Sequence, residues 1–239
     1  GTLNAATTFG ADTDYYVHNG QTLTLSAAQA NGETITGEQA SGAGSAGGSV
    51  VITGLDAAAA YALQNVSAGA VSGNDAAGTV TSTITSDTTL NTGTNLGNVA
   101  LTVNNGVTLT ATGAQVSTKT IAGAGASQGS VVINAMAANT DLGNFNANLA
   151  SVTAKVAAGT VDLSSQAAGS AFTGVNNGTV DAIEVAAGAT VQIDDSEFAD
   201  AGSTGLVVSG AGNVTVSGAA IATQYDMTDI TATGTTKIV

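Results

Sequence analysis

The 239-residue chain carries 17 acidic residues against three lysines and no arginine, for a net charge of −14, and it has no Cys, Pro or Trp. No disulfide or thiolate metal site can form, and the shortage of cations argues against nucleic-acid or anionic-membrane binding, both of which need clustered positive charge. Four Tyr and four Phe are too few to fill a broad globular core, so the interior must be built from Val, Ile, Leu, Ala and Thr, which suits a narrow stack of similar layers.

In chain order, the opening Gly1–Ala5 lacks Met and a basic stretch, so no secretory signal is expected to remain. No run of about 20 apolar residues is present that could span a bilayer. Strand signals begin at Thr22–Leu25 and continue at Thr34–Thr36 and Val50–Thr53. Ala57–Ala60, running on into Tyr61–Leu63, reads as one or two helical turns. Further strands are expected over Thr79–Thr85, Val99–Val103, Thr108–Thr110, Val131–Ile133, Ala182–Val185, Leu206–Val208 and Val214–Val216. Many of these runs alternate Thr with an aliphatic residue, which sends the two types to opposite faces. Turn signals lie between them at Asn19-Gly20, Asn31-Gly32, Asn105-Gly106, Asn177-Gly178 and Gly212-Asn213.

The segment Val17–Gln29 returns as Val103–Gln115 with eight of 13 positions identical, and a looser version begins at Val185. The starts are 86 and 82 residues apart. Gly48–Ile52, Gly129–Ile133 and Gly212–Val216 follow as a second landmark in each copy, and Val152–Val156 matches Thr235–Ile238 more weakly. A fixed period means one structural unit copied along the chain. The expected organisation is an N-terminal segment 1–16, copy one over 17–102, copy two over 103–184 and an incomplete copy three over 185–239. Two all-β architectures fit. One is a β-solenoid, resembling a parallel β-helix, built from three related copies of about 82 residues with rungs of about 20 residues. The other is a row of tandem β-sandwich modules, although the bulky core aromatics and Pro-rich linkers usual in such modules are missing.

Copy three lacks a counterpart of residues 157–184, and Asp14–Val17 occupies the place that Ala182–Val185 holds before copy three. The 1–16 segment of one subunit is therefore a candidate intersubunit strand, completing the last copy of the next subunit. Such head-to-tail addition generates filaments or lattices.

The densest carboxylate cluster is Asp194, Asp195, Glu197 and Asp200, which could offer oxygen ligands to calcium, a hard cation that takes six to eight of them. Asp12 with Asp14 and Asp226 with Asp229 are smaller pairs. None fits an EF-hand loop. His18, the single histidine, sits in a turn and lacks the partners a transition-metal site needs. A polysaccharide-cleaving site would need a base beside its carboxylates, and three scattered lysines do not supply one. No enzyme is expected.

The segments Asn19–Gln29, Gly48–Leu55 and Gly159–Leu163 resemble bacterial surface-layer proteins and large secreted adhesins, which are rich in Ala, Gly and Thr, acidic, cysteine-free and β-rich. The resemblance covers nearly the whole chain as texture rather than as a diagnostic motif. It implies a calcium-stabilised assembly at the cell surface. The expected function is an extracellular structural protein that self-assembles into a filament or surface layer through head-to-tail strand pairing, with itself as main partner and cell-surface polysaccharide as a second. The alternative is an adhesin stalk or passenger segment binding glycans or surfaces.

Overall fold

The computed structural model describes residues 1–2, 7, 9–10, 14–40, 46–70, 76–125, 128–145, 148–163, 180–194, 206–218 and 228–239. The chain divides into two compact units, Gly1–Asn104 and Asn105–Val239. It is nearly all β.

The first unit contains β1 (Asp14–Val17), β2 (Thr22–Ser26), α1 (Ala27–Ala30), β3 (Thr34–Gly37), β4 (Ser49–Thr53), β5 (Val66–Ser67), β6 (Val80–Ile84), β7 (Thr88–Thr89) and β8 (Ala100–Val103). Strands β1, β3 and β5 pair in parallel as one sheet, and β2, β4, β6 and β8 pair in parallel as another. Strands β1 to β6 alternate between the two sheets, so each parallel neighbour is reached by a crossover. In-register pairing stacks Leu25, Ile52, Ser82 and Leu101 into one buried column. Only small side chains fit where the sheets meet. A chain of backbone N–H groups runs through this corner, Glu38 donating to Val17, Gly48 to Glu38, Gly69 to Gly48 and Gly78 to Gly69, at 2.7–3.0 Å. A Cβ on Gly69 would stand 1.8 Å from the Glu38 carbonyl oxygen, so no larger residue is accommodated.

The second unit contains β9 (Thr108–Thr112), α2 (Gly113–Val116), β10 (Ile121–Gly123), β11 (Ser130–Asn134), β12 (Ser151–Val156), β13 (Thr160–Asp162), β14 (Ala182–Val185), β15 (Thr190–Asp194), β16 (Val207–Gly210), β17 (Asn213–Ser217) and β18 (Thr236–Ile238). Strands β9, β11, β12, β14 and β16 form one parallel sheet. Strands β13, β15, β17 and β18 form the other. The column Ala111, Ile133, Ala154, Ile183 and Val208 is buried throughout, small and large side chains alternating in its first four layers. Outside the core, the Ser151 and Ser130 hydroxyls bond across neighbouring strands at 3.0 Å.

Every registered ladder among the described residues is parallel. The sandwich alternative requires antiparallel sheets, and these ladders do not supply them. The helical expectation over Ala57–Leu63 is also not met. Asp56 instead turns the chain, its Oδ1 accepting the Ala58 N–H and the Tyr61 hydroxyl, both at 2.9 Å. An aspartate that caps its own backbone two residues on makes a turn rather than a helix. Among the described residues two helices lie elsewhere, directly after β2 and β9, and each is four residues long.

Candidate functional site

The surfaces with unused bonding capacity are sheet edges. Among the described residues strand β1 ends one side of its sheet, and β18 ends one side of its own. Edge strands present a row of N–H and C=O groups able to template another strand. Their side chains reinforce the point. Tyr16 on β1 is 63% exposed, Ile238 on β18 is 56% exposed and Val239 beside it equally so.

Strand β1 is held from inside its own chain. Asp14–Val17 pair residue for residue with Thr34–Gly37. Phe9 packs on Tyr15 with ring centroids 4.0 Å apart, and the Gly10 N–H donates to the Tyr15 hydroxyl at 2.8 Å. Thr2 bridges Thr24 in parallel, the Gly1 ammonium donates to the Thr22 carbonyl, and the Thr24 N–H donates to Gly1. Within one chain, Gly1 and Thr2 thus cap β2, and the described residues of the 1–16 segment lead into β1. Any intersubunit role falls to the outer edge of β1. Beside it His18 Nδ1 lies 2.9 Å from Glu38 Oε2 on the surface, as expected of a turn residue.

Among the described residues strand β18 is held by β17, with Thr236 opposite Val214, Lys237 opposite Thr215 and Ile238 opposite Val216. Val239 donates its N–H to the Val216 carbonyl at 2.9 Å. In a parallel ladder alternate residues bond to alternate sides, so the Ile238 carbonyl faces away from β17.

The calcium expectation falls almost wholly outside the described residues. Asp195, Glu197 and Asp200 lie outside them, and of Asp194 only its backbone is placed, as the last residue of β15 opposite Ser217. Asp12 and Asp226 also lie outside the described residues, while Asp14 and Asp229 lie within them. Among the described residues no group of three or more His, Asp or Glu side chains gathers to hold a metal.

A cavity of about 240 Å³ is lined by Asn134, Ala135, Lys155, Glu184 and Ala186, among others. Lys155 and Glu184 lie opposite one another on β12 and β14 and pair at 2.9 Å, so each neutralises the other. Nearby, Asp181 accepts the Val152 N–H at 2.6 Å. Burial pushes its carboxyl above the usual range, against the opposing pull of that bond and of its own N–H. Tyr61 is likewise raised, chiefly by burial and then by its bond to Asp56.

Sequence reasoning missed β1, β5, β7, β10, β12, β13, β15 and β18 as strands, although Asp14–Val17, Val152–Val156 and Thr235–Ile238 lie on repeat matches. Most of these span only two to four residues, and mixed polarity hid the six-residue β12, which carries Lys155. It also missed both helices, whose signal is a Ser or Thr three residues before Gln: Ser26 to Gln29 and Thr112 to Gln115. Comparison of the chain with protein-family models, curated proteins and solved structures gives no match.

Proposed function

We propose that this chain is a non-catalytic structural subunit that polymerises at or beyond the cell surface, a β-solenoid whose open sheet edges join copies head to tail. The observation that supports this reading is that, among the described residues, β1 and β18 each end a parallel sheet, with exposed apolar or aromatic side chains on both. Strand addition at such edges yields main-chain hydrogen bonds at every second residue together with apolar burial. The contact uses different surfaces on the two copies, so it propagates rather than closing as a two-fold dimer.

The net charge of −14 opposes the packing of copies. Calcium, held by Asp194, Asp195, Glu197 and Asp200, is the cation this reading assigns to offset that repulsion.

Sedimentation velocity and negative-stain imaging of purified protein across a concentration series test the function. The reading expects long filaments or sheets above a critical concentration, with that concentration rising when a chelator is added. Monodisperse particles at every concentration would favour the adhesin-stalk alternative.

A further inference from the structure

The chain contains two internal copies of a junction that, among the described residues, neither β1 nor β18 makes on its outer side. In the first unit β6 is followed in its sheet by β8, with Ile84 opposite Val103 and Thr83 opposite Thr102. In the second unit β12 is followed by β14, with Val156 opposite Val185 and Lys155 opposite Glu184. The receiving strands are related in sequence, since Val17, Val103 and Val185 open the three repeat copies. The preceding strands are related too, because Val152–Val156 matches Thr235–Ile238 with Lys155 at Lys237 and Val156 at Ile238. The hydrogen bond that closes each junction is also the same. Asn104 donates its N–H to Ile84 at 3.0 Å, and Ala186 donates to Val156 at 2.9 Å.

We infer that β18 of one copy receives β1 of a second copy in this same register, with Ile238 opposite Val17, Lys237 opposite Tyr16, Thr236 opposite Tyr15 and the His18 N–H donating to the Ile238 carbonyl. This register rests on the assembly reading above and specifies its contact. Burial supports it. Ile84, Val103, Val156 and Val185 are all buried at the internal junctions, and Val17 is buried too, while Ile238 is the one member of the set left exposed. A second copy of β1 places Val17 on Ile238 and removes that exposure from water. The polarity of the edges also fits. Ile238 presents its carbonyl outward, and His18 occupies the position of Asn104 and Ala186, whose N–H groups make the closing bonds. On the outer face Lys237 comes to lie against the Tyr16 ring, a favourable pairing of a cation with an aromatic face. A competing register, shifted by two residues, keeps the same side chains inward but sets Lys237 opposite Asp14. It would leave Val17 without Ile238.

Disulfide trapping separates the two registers, and the absence of native cysteine makes it clean. Opposed residues on parallel neighbours have Cα atoms about 4.8 Å apart, within disulfide reach, whereas a two-residue offset sets them about 8 Å apart, beyond it. Chains carrying Tyr16→Cys with Lys237→Cys are compared with chains carrying Asp14→Cys with Lys237→Cys, under mild oxidation at an assembling concentration. Both substituted positions face outward. Mixing a Tyr16→Cys chain with a Lys237→Cys chain gives an independent measurement with one change per molecule. The inference expects a ladder of covalent oligomers from the first pair, forming at least about tenfold faster than from the second, and a disulfide heterodimer from the mixture. Filaments in which the Asp14 pair links as fast or faster overturn the register and leave assembly standing. Chains that remain single particles without substitution overturn both.

Discussion

Ser82 is the residue most at odds with its surroundings. It sits in the column formed by Leu25, Ile52 and Leu101, is 1% exposed, and its hydroxyl finds no hydrogen-bond partner among the described residues. A buried hydroxyl without a partner costs on the order of 1–3 kcal/mol relative to one that is satisfied. Ser82→Ala keeps the small volume and removes the unpaired group, so it should stabilise the chain by about 1 kcal/mol in urea denaturation of dilute protein. A loss of stability would show that the hydroxyl is satisfied in solution. Asp181 makes a second residue-scale prediction. Its folded-state carboxyl is raised by burial, so the folded chain holds that proton more tightly than the unfolded chain. The associated stability is present below the unfolded value of about 3.9 and is lost as pH rises through the folded value. Asp181→Asn keeps an acceptor for the Val152 N–H and cannot ionise. Relative to the natural chain it should be at least as stable at pH 7 and should lose ground as pH falls toward 4. Denaturation curves at both pH values check the sign, and a variant that gains ground on acidification would refute it.

At the scale of elements, the corners show what sequence made visible and what it concealed. The alternating run at Thr22 became β2 because a half-buried strand needs that alternation, and the β-branched runs at Val50 and Val131 became β4 and β11. Their partners were not legible. Asn19-Gly20 and Asn105-Gly106 form turns with glycine φ of +69° at both positions, yet the strands joined by the first turn, β1 and β2, lie in different sheets. A local turn signal fixes a change of direction, whereas parallel pairing is decided by strands 20 or more residues away, such as Leu25 with Ile52. The alanine run after Asp56 misled for a related reason: helix propensity is weak beside a side chain that caps its own backbone. The four-residue helices are legible in hindsight through their capping boxes. Thr112 accepts the Gln115 N–H at 3.3 Å, and the Gln115 side chain accepts the Thr112 N–H at 2.9 Å. Ser26 and Gln29 repeat the arrangement at 3.2 and 2.9 Å. Thr112→Ala removes the cap and should destabilise the chain by about 1 kcal/mol. Thr110→Ala, two residues earlier on the outer face of β9, should cost less. Equal losses in thermal melts would mean that the cap contributes nothing beyond a surface threonine. Of the acidic cluster, the sequence shows that four carboxylates are close along the chain, but ligand geometry depends on folding that spacing alone does not determine.

At the scale of the whole molecule, the proposed function rests on edges rather than on a pocket. Ile238 is exposed in the single chain and lies at the centre of the inferred contact. Ile238→Asp should therefore leave the circular dichroism and melting of dilute protein nearly unchanged. It should raise the concentration needed for assembly at least about tenfold, because a carboxylate would have to be buried against Val17. Light scattering across a dilution series reads that shift, and unchanged assembly would remove β18 from the contact. The most direct measurement is electron cryomicroscopy of the unmodified chain at high concentration with calcium present. If parallel strands continue from copy to copy, averaged images should show an ordered polymer with a repeat of about 4.8 Å along the direction of stacking. Isolated particles, or polymers whose copies meet through faces other than β18 and β1, would contradict the account.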